Sequence, residues 1–127
     1  MSVAAKICGL TTADAVMAAV AGGARFVGFV FYPPSPRAVT PAEATALAAP
    51  VDGAIQRVGL FVDPDDAAVA SVLAHLPLDL LQLHGSESPA RLAALKARFG
   101  RPVMKAIKIG AAATPAVGRA ASSRYRA

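Results

Sequence analysis

A parallel α/β fold is what this 127-residue sequence predicts, and three observations point to it. Short apolar runs recur at residues 3–8, 26–31, 55–62, 78–83 and 103–109. Runs this short and this uniformly apolar suit strands buried on both faces. Stretches with explicit helix-start signals lie between them, and strand starts are spaced by roughly 20 to 30 residues, the length of a βα unit. Each crossover is long enough for a helix, so the strands run parallel through right-handed connections. Five strands and four helices are visible. Periodicity leaves open whether they curl into a barrel or stay an open sheet.

The elements follow in order. The first strand stops at Cys8-Gly9, and a helix capped at Thr11 is expected next, closed by Gly22-Gly23. After the second strand, Thr40-Pro41-Ala42-Glu43 combines a capping box with proline at the first helical position. Asp63-Pro64-Asp65-Asp66 offers a cap, a proline and dipole-favoured acids in one turn after the third strand, with Asp63 as the simplest cap. Ser88-Pro89 repeats the device after the fourth, and Gly100 closes that helix. Val69, Val72, Leu73 and Leu76 recur at i, i+3, i+4 and i+7, as Leu92, Leu95 and Phe99 do in part, so each helix lays one apolar stripe on the sheet. Residues 110–127 break the pattern. They are rich in Ala, Gly, Ser and Arg, resemble no sixth buried strand, and read as a frayed helix or poorly ordered tail. The expected organisation is therefore residues 1–109 as one set of βα units and 110–127 as an atypical tail.

Bulk composition narrows the function. The single cysteine excludes an intramolecular disulfide, and there is no CxxC or Cys/His cluster to hold zinc. A reducing cytoplasm is expected, with no signal-type leader and no 18-residue apolar run for a membrane span. The formal charge is +5, but Arg119, Arg124 and Arg126 sit together in the acid-free final segment. No basic stripe is interleaved with aromatics, so neither nucleic acid nor membrane is an expected partner. A mild positive balance suits an anionic small substrate.

Polar residues gather at one edge of the expected sheet. Cys8 ends the first strand, Arg37 lies in the loop after the second, Asp63 ends the third, and His84 ends the fourth. In parallel α/β folds that edge is where ligands bind. Lys6 shares a face with Cys8, and Gln82 shares one with His84, leaving Ile7 and Leu83 for the helix layer. An open sheet covered on both sides would place apolar residues there; a barrel mouth would not. Singly, each residue has an ordinary explanation: Lys6 can snorkel to solvent, Arg37 can be a loop cation, His84 a turn histidine, and Cys8 a small buried hydrophobe. Lys105 is read as a half-buried strand lysine with no role.

Four motifs together resemble the phosphoribosylanthranilate isomerase family. They are Lys6-Ile7-Cys8-Gly9-Leu10-Thr11; Gly28-Phe29-Val30-Phe31 with Ser35-Pro36-Arg37; Val58-Gly59-Leu60-Phe61-Val62; and Leu81-Gln82-Leu83-His84-Gly85-Ser86-Glu87. Met104-Lys105-Ala106-Ile107 is a weaker fifth, and the resemblance covers about residues 3 to 109. It implies a (β/α)₈ barrel of TIM type, here incomplete, acting in tryptophan biosynthesis without metal or organic cofactor. The implied reaction is an Amadori rearrangement of N-(5-phosphoribosyl)anthranilate, a small anionic phosphorylated substrate. By that resemblance Cys8 is the general base, a task for a thiolate that a cation such as Lys6 or a helix start favours. Arg37 holds the anthranilate carboxylate, where a guanidinium fork is apt. His84 lines the substrate pocket, with Gln82 a weaker candidate beside it.

The same resemblance implies a general-acid aspartate at the end of the sixth strand and a phosphate grip in the last two βα loops. Residues 110–127 match neither, and Asp63 and Asp79 do not occupy the acid's position. The expectation is an N-terminal part of the enzyme, truncated or frame-shifted, and inactive alone. Two other readings stand beside it. One is a non-catalytic half-barrel that assembles with a partner chain or itself through open edges. The other is an open, flavodoxin-like binding module.

Overall fold

The computed structural model describes residues 6–51, 53–106 and 125–126. Five parallel strands, β1 (Lys6–Ile7), β2 (Phe26–Val30), β3 (Gln56–Phe61), β4 (Leu80–Leu83) and β5 (Val103–Ala106), lie side by side in chain order. Four helices connect them: α1 (Ala13–Ala21), α2 (Pro41–Ala48), α3 (Asp66–His75) and α4 (Pro89–Phe99). An uninterrupted 1-2-3-4-5 order means every right-handed crossover advances the same way, which stacks all the helices on one face. A flavodoxin-like sheet must reverse direction once. This sheet does not, and the structure is half of a (β/α)₈ barrel.

A sixth strand, β6 (Tyr125–Arg126), pairs antiparallel with β5 at Lys105 and Ala106. The sequence pattern does not show it, because two residues carry no periodicity. The expected tail character of 110–127 otherwise falls outside the described residues, as do residues 3–5 of the first apolar run and 107–109 of the last.

The apolar stripes do what their spacing predicts. Val27, Phe29, Phe61, Leu81, Leu83 and Val103 from the sheet join Val16, Ala44, Val69, Val72 and Leu95 from the helices in one buried cluster. Each large aliphatic side chain buried this way contributes about 1.5–3 kcal/mol. The alternate residues Val30, Val58, Leu80 and Gln82 are also buried but lie outside that cluster, on the barrel's inner face. Ile7 departs from expectation. Instead of packing under helices it is 40% exposed, because among the described residues β1 has a strand neighbour on one side only.

The helix starts match in kind and shift in detail. Thr40 and Glu43 form the reciprocal capping box, and Ser88 caps α4 with Pro89 following. At α1 the cap is Thr12, not Thr11; its hydroxyl accepts from Ala15 N–H. At α3 the cap is Asp65, which accepts from Ala68 N–H at 2.7 Å, so Asp63 is released for another task.

Candidate active site

The strand ends converge as the polar parity requires. Gly9, at φ +79°, turns the chain outward straight after Cys8, and the N–H groups of Gly9 and Leu10 both donate to the Gly28 carbonyl. Gly28 opposes the thiol: a Cβ there would stand 3.0 Å from Cys8 Sγ. In the next loop Ser35 N–H donates to the Tyr32 carbonyl, and Ser35 Oγ accepts from Arg37 N–H at 3.1 Å. The Arg37 side chain then lies over Gly9, where a Cβ would meet its Cδ at 2.7 Å. Two missing side chains thus let thiol and guanidinium approach a common space.

That space is a cavity of about 350 Å³, the size of small-molecule pockets. Cys8, Arg37 and His84 line it together with Tyr32 and an apolar floor of Val30, Leu60 and Val62. A thiol, a guanidinium and an imidazole above an apolar floor suit an organic anion with an aromatic or other apolar body. Among the described residues no carboxylate lines this cavity. A second cavity of the same volume, between Phe31, Pro33 and α3, has Glu43 as the one titratable side chain among its described lining residues, and it is already committed to its capping box.

Gln82 is not on the cavity wall. It is 1% exposed and accepts a hydrogen bond from Lys6 Nζ across the inner face of the sheet. Lys6 therefore points inward rather than snorkelling to solvent. Burial lowers its ammonium below the ordinary lysine value, while charge interaction with Cys8 acts in the opposite direction. Gln82 and Lys6 thus share the inner face of the sheet without lining the cavity.

Glu87 is the residue that sequence reasoning passed over. Its side chain is 1% exposed and pairs with Lys105 Nζ at 2.6 Å. Burial alone would push its carboxyl up. The Lys105 ammonium and the backbone N–H groups of Asp63, Glu87 and Gly85 outweigh that and hold it below the ordinary glutamate value. Asp63, expected as a helix cap, instead accepts from Ser86 N–H at 2.8 Å. The only sequence signal was the acid following His84-Gly85; nothing in the spacing joins it to Lys105.

Comparison with known proteins completes the description. A family model for N-(5'-phosphoribosyl)anthranilate (PRA) isomerase matches residues 5–124. The N-(5'-phosphoribosyl)anthranilate isomerase of Paracoccus denitrificans is 62% identical over 109 residues, which is 86% of this chain and 51% of that protein. A crystal structure of phosphoribosyl anthranilate isomerase bound to reduced 1-(o-carboxyphenylamino)-1-deoxyribulose 5-phosphate aligns with a TM-score of 0.80 at 32% identity, covering 97% of this chain and 61% of that one. The Thermotoga maritima enzyme aligns with a TM-score of 0.80 at 32% identity, over 97% of this chain and 58% of its own. The chain spans about half the length of the curated relatives it matches.

Proposed function

We propose, because this chain belongs to the N-(5'-phosphoribosyl)anthranilate isomerase family, that it carries the base and carboxylate anchor of an isomerase site. The observation that supports this reading is the shared cavity of Cys8, Arg37 and His84 at the carboxyl ends of the strands. The reaction is the Amadori rearrangement of N-(5-phosphoribosyl)anthranilate. Protonation of the ribose ring oxygen opens the ring to a Schiff base. The Cys8 thiolate takes the proton from the adjacent sugar carbon, leaving an enolamine that tautomerises to the 1-deoxyribulose ketone. Arg37 holds the anthranilate carboxylate by its fork of N–H donors. The aromatic ring lies on Val30 and Leu60, and His84 closes the wall. Gln82 acts from below through Lys6, rather than by touching substrate. The enzyme works on a water-borne metabolite in the cytoplasm; among the described residues no helix is long and apolar enough to cross a membrane.

The acid that opens the ring and the phosphate grip are not supplied by the described cavity, so the chain alone is expected to be inactive. The test joins residues 1–109 to the remaining half of the Paracoccus denitrificans relative. That hybrid should convert the substrate, and Cys8→Ala should lower its turnover by at least about a hundredfold, the lower end of general-base effects. A folded hybrid with undiminished activity after Cys8→Ala overturns the assignment. Conversion by the 127-residue chain alone overturns the expectation of inactivity.

One observation favours self-association as a second reading. Ile7 on the edge strand and Met17 on α1 are 40% and 51% exposed, and an open strand edge invites pairing. Sedimentation showing a stable monomer at high concentration refutes it.

A further inference from the structure

One buried carboxylate ties together three segments that are distant in sequence. Glu87 Oε1 accepts from Gly85 N–H at 2.9 Å and from Lys105 Nζ at 2.6 Å, while Oε2 accepts from Asp63 N–H at 2.7 Å. The end of β3, the turn after β4 and the middle of β5 therefore meet on a single side chain. Asp63 answers through its own carboxylate, whose Oδ1 accepts from Ser86 N–H. Lys105 Nζ also donates to the Gly85 carbonyl. Gly85 is thus gripped at both its N–H and its C=O.

Two further features show that this arrangement is not free. Asp63 is a non-glycine residue at φ +44°, a left-handed conformation that costs free energy and persists only where the surroundings impose it. Gly85 packs so closely that a Cβ would stand 2.6 Å from Asp63 Oδ2 and 2.9 Å from Asp63 N. The residue immediately before Gly85 is His84, whose N–H donates to the Phe61 carbonyl at 2.9 Å. His84 is the member of this turn that lines the cavity. A buried charge and a strained backbone are both spent on the turn that carries it.

We propose that Glu87 is a positioning residue, acting with Lys105 and Asp63 to fix His84 on the wall of the substrate cavity. None of the three lines the cavity. This inference rests on the isomerase reading of that cavity. Its consequence is that substrate affinity depends on Glu87 only by way of His84.

The experiment is a binding cycle on the 127-residue chain. Nuclear magnetic resonance follows titration with reduced 1-(o-carboxyphenylamino)-1-deoxyribulose 5-phosphate. Glu87→Gln keeps the shape, but one of its terminal atoms becomes an NH₂ group facing an N–H donor, whichever way the amide is turned. It should weaken binding about tenfold, the equivalent of one good polar contact. In a His84→Ala background the same substitution should change affinity by less than about twofold. Equal losses in both backgrounds, or no loss in either, overturn the proposal. Lys105→Met, which leaves both backbone amides on Glu87, is the second variant should Glu87→Gln fail to fold; its loss should show the same dependence on His84. If Arg37→Ala leaves binding intact, the isomerase reading fails instead; if the unaltered chain, without the phosphate grip, holds no analogue, affinity is no longer the readout. The positioning role is then decided by the His84 ring signals: freed ring motion in Glu87→Gln supports it, and unchanged motion overturns it.

Discussion

Gly9→Ala separates two consequences of one glycine, its backbone conformation and its open space. At φ +79° an alanine pays the left-handed penalty of about 1–2 kcal/mol. With a urea dependence of about 1–3 kcal/mol per molar, the denaturation midpoint should fall by about 0.3–2 M. The new methyl would also stand 2.7 Å from Arg37 Cδ and 3.3 Å from Nη1, so the guanidinium has to swing away. Arg37 is exposed, and that movement adds little to the stability cost. It matters for binding, because a charge-assisted contact to a carboxylate is worth about 1.5–3 kcal/mol, or about 10- to 100-fold in affinity. The assay is urea denaturation beside titration with the reduced product analogue, in wild type, Gly9→Ala, Arg37→Ala and the double variant. The stability loss should persist unchanged when Arg37 is alanine, while the affinity loss should disappear. If Gly9→Ala weakens binding equally in both backgrounds, Gly9 does not act by making room for Arg37. An unchanged urea midpoint would deny the strained turn.

Glu87 should contribute to the acid sensitivity of the fold. Its carboxyl is held below the reference value of 4.5, so the folded state releases its proton more readily than the unfolded state does. The stabilisation is complete above that value and is lost as pH falls through the folded one. Urea midpoints should therefore drop more steeply below about pH 4.5 in wild type than in Glu87→Gln; parallel profiles would count against it. Leu81, fully buried between sheet and helices, should cost about 2–5 kcal/mol as alanine, a large share of a domain's stability, read by the same denaturation. Thr40→Ala removes one half of the reciprocal box at α2 and should cost about 0.5–2 kcal/mol without affecting analogue binding.

What the sequence made legible is what local rules govern. Two-residue parity put Lys6 with Cys8 and Gln82 with His84; Lys6 and Gln82 meet on the inner face, and Cys8 and His84, each one residue past its strand, line one cavity. Proline and small polar residues located all four helix starts. They left the cap uncertain by one or two positions where Thr11 and Thr12, or Asp63 and Asp65, offered equivalent oxygens. Only backbone dihedrals settle which oxygen faces the free N–H groups. The brace around Glu87 was hidden for a different reason. Asp63 just past β3, Gly85 in the turn after β4 and Lys105 on β5 all reach it, and its partners at positions 63 and 105 lie 24 and 18 residues away. No periodicity encodes that meeting; it follows from how far β4 and β5 slide past one another.

The Lys6 and Gln82 pair shows where this fold departs from what stability alone would select. Both side chains occupy the inner face of the sheet, and Gln82 is 1% exposed. Replacing both members of a buried hydrogen-bonded pair by apolar residues of similar shape can be neutral or stabilising, whereas removing one partner is costly. Lys6→Met with Gln82→Leu should therefore raise the urea midpoint, while Gln82→Leu alone should lower it by withdrawing an acceptor from a half-buried ammonium. The sign with pH follows from the Lys6 direction. Burial lowers its folded value below 10.5, so in the alkaline window the unfolded chain holds the extra proton and wild-type stability rises with pH. The advantage of the double variant should shrink there. The hybrid enzyme should lose turnover with the same pair of substitutions, since the cation beneath Cys8 is gone. A double variant less stable than wild type at neutral pH would make the pair a structural element, and undiminished turnover in the hybrid would break the link to the thiol.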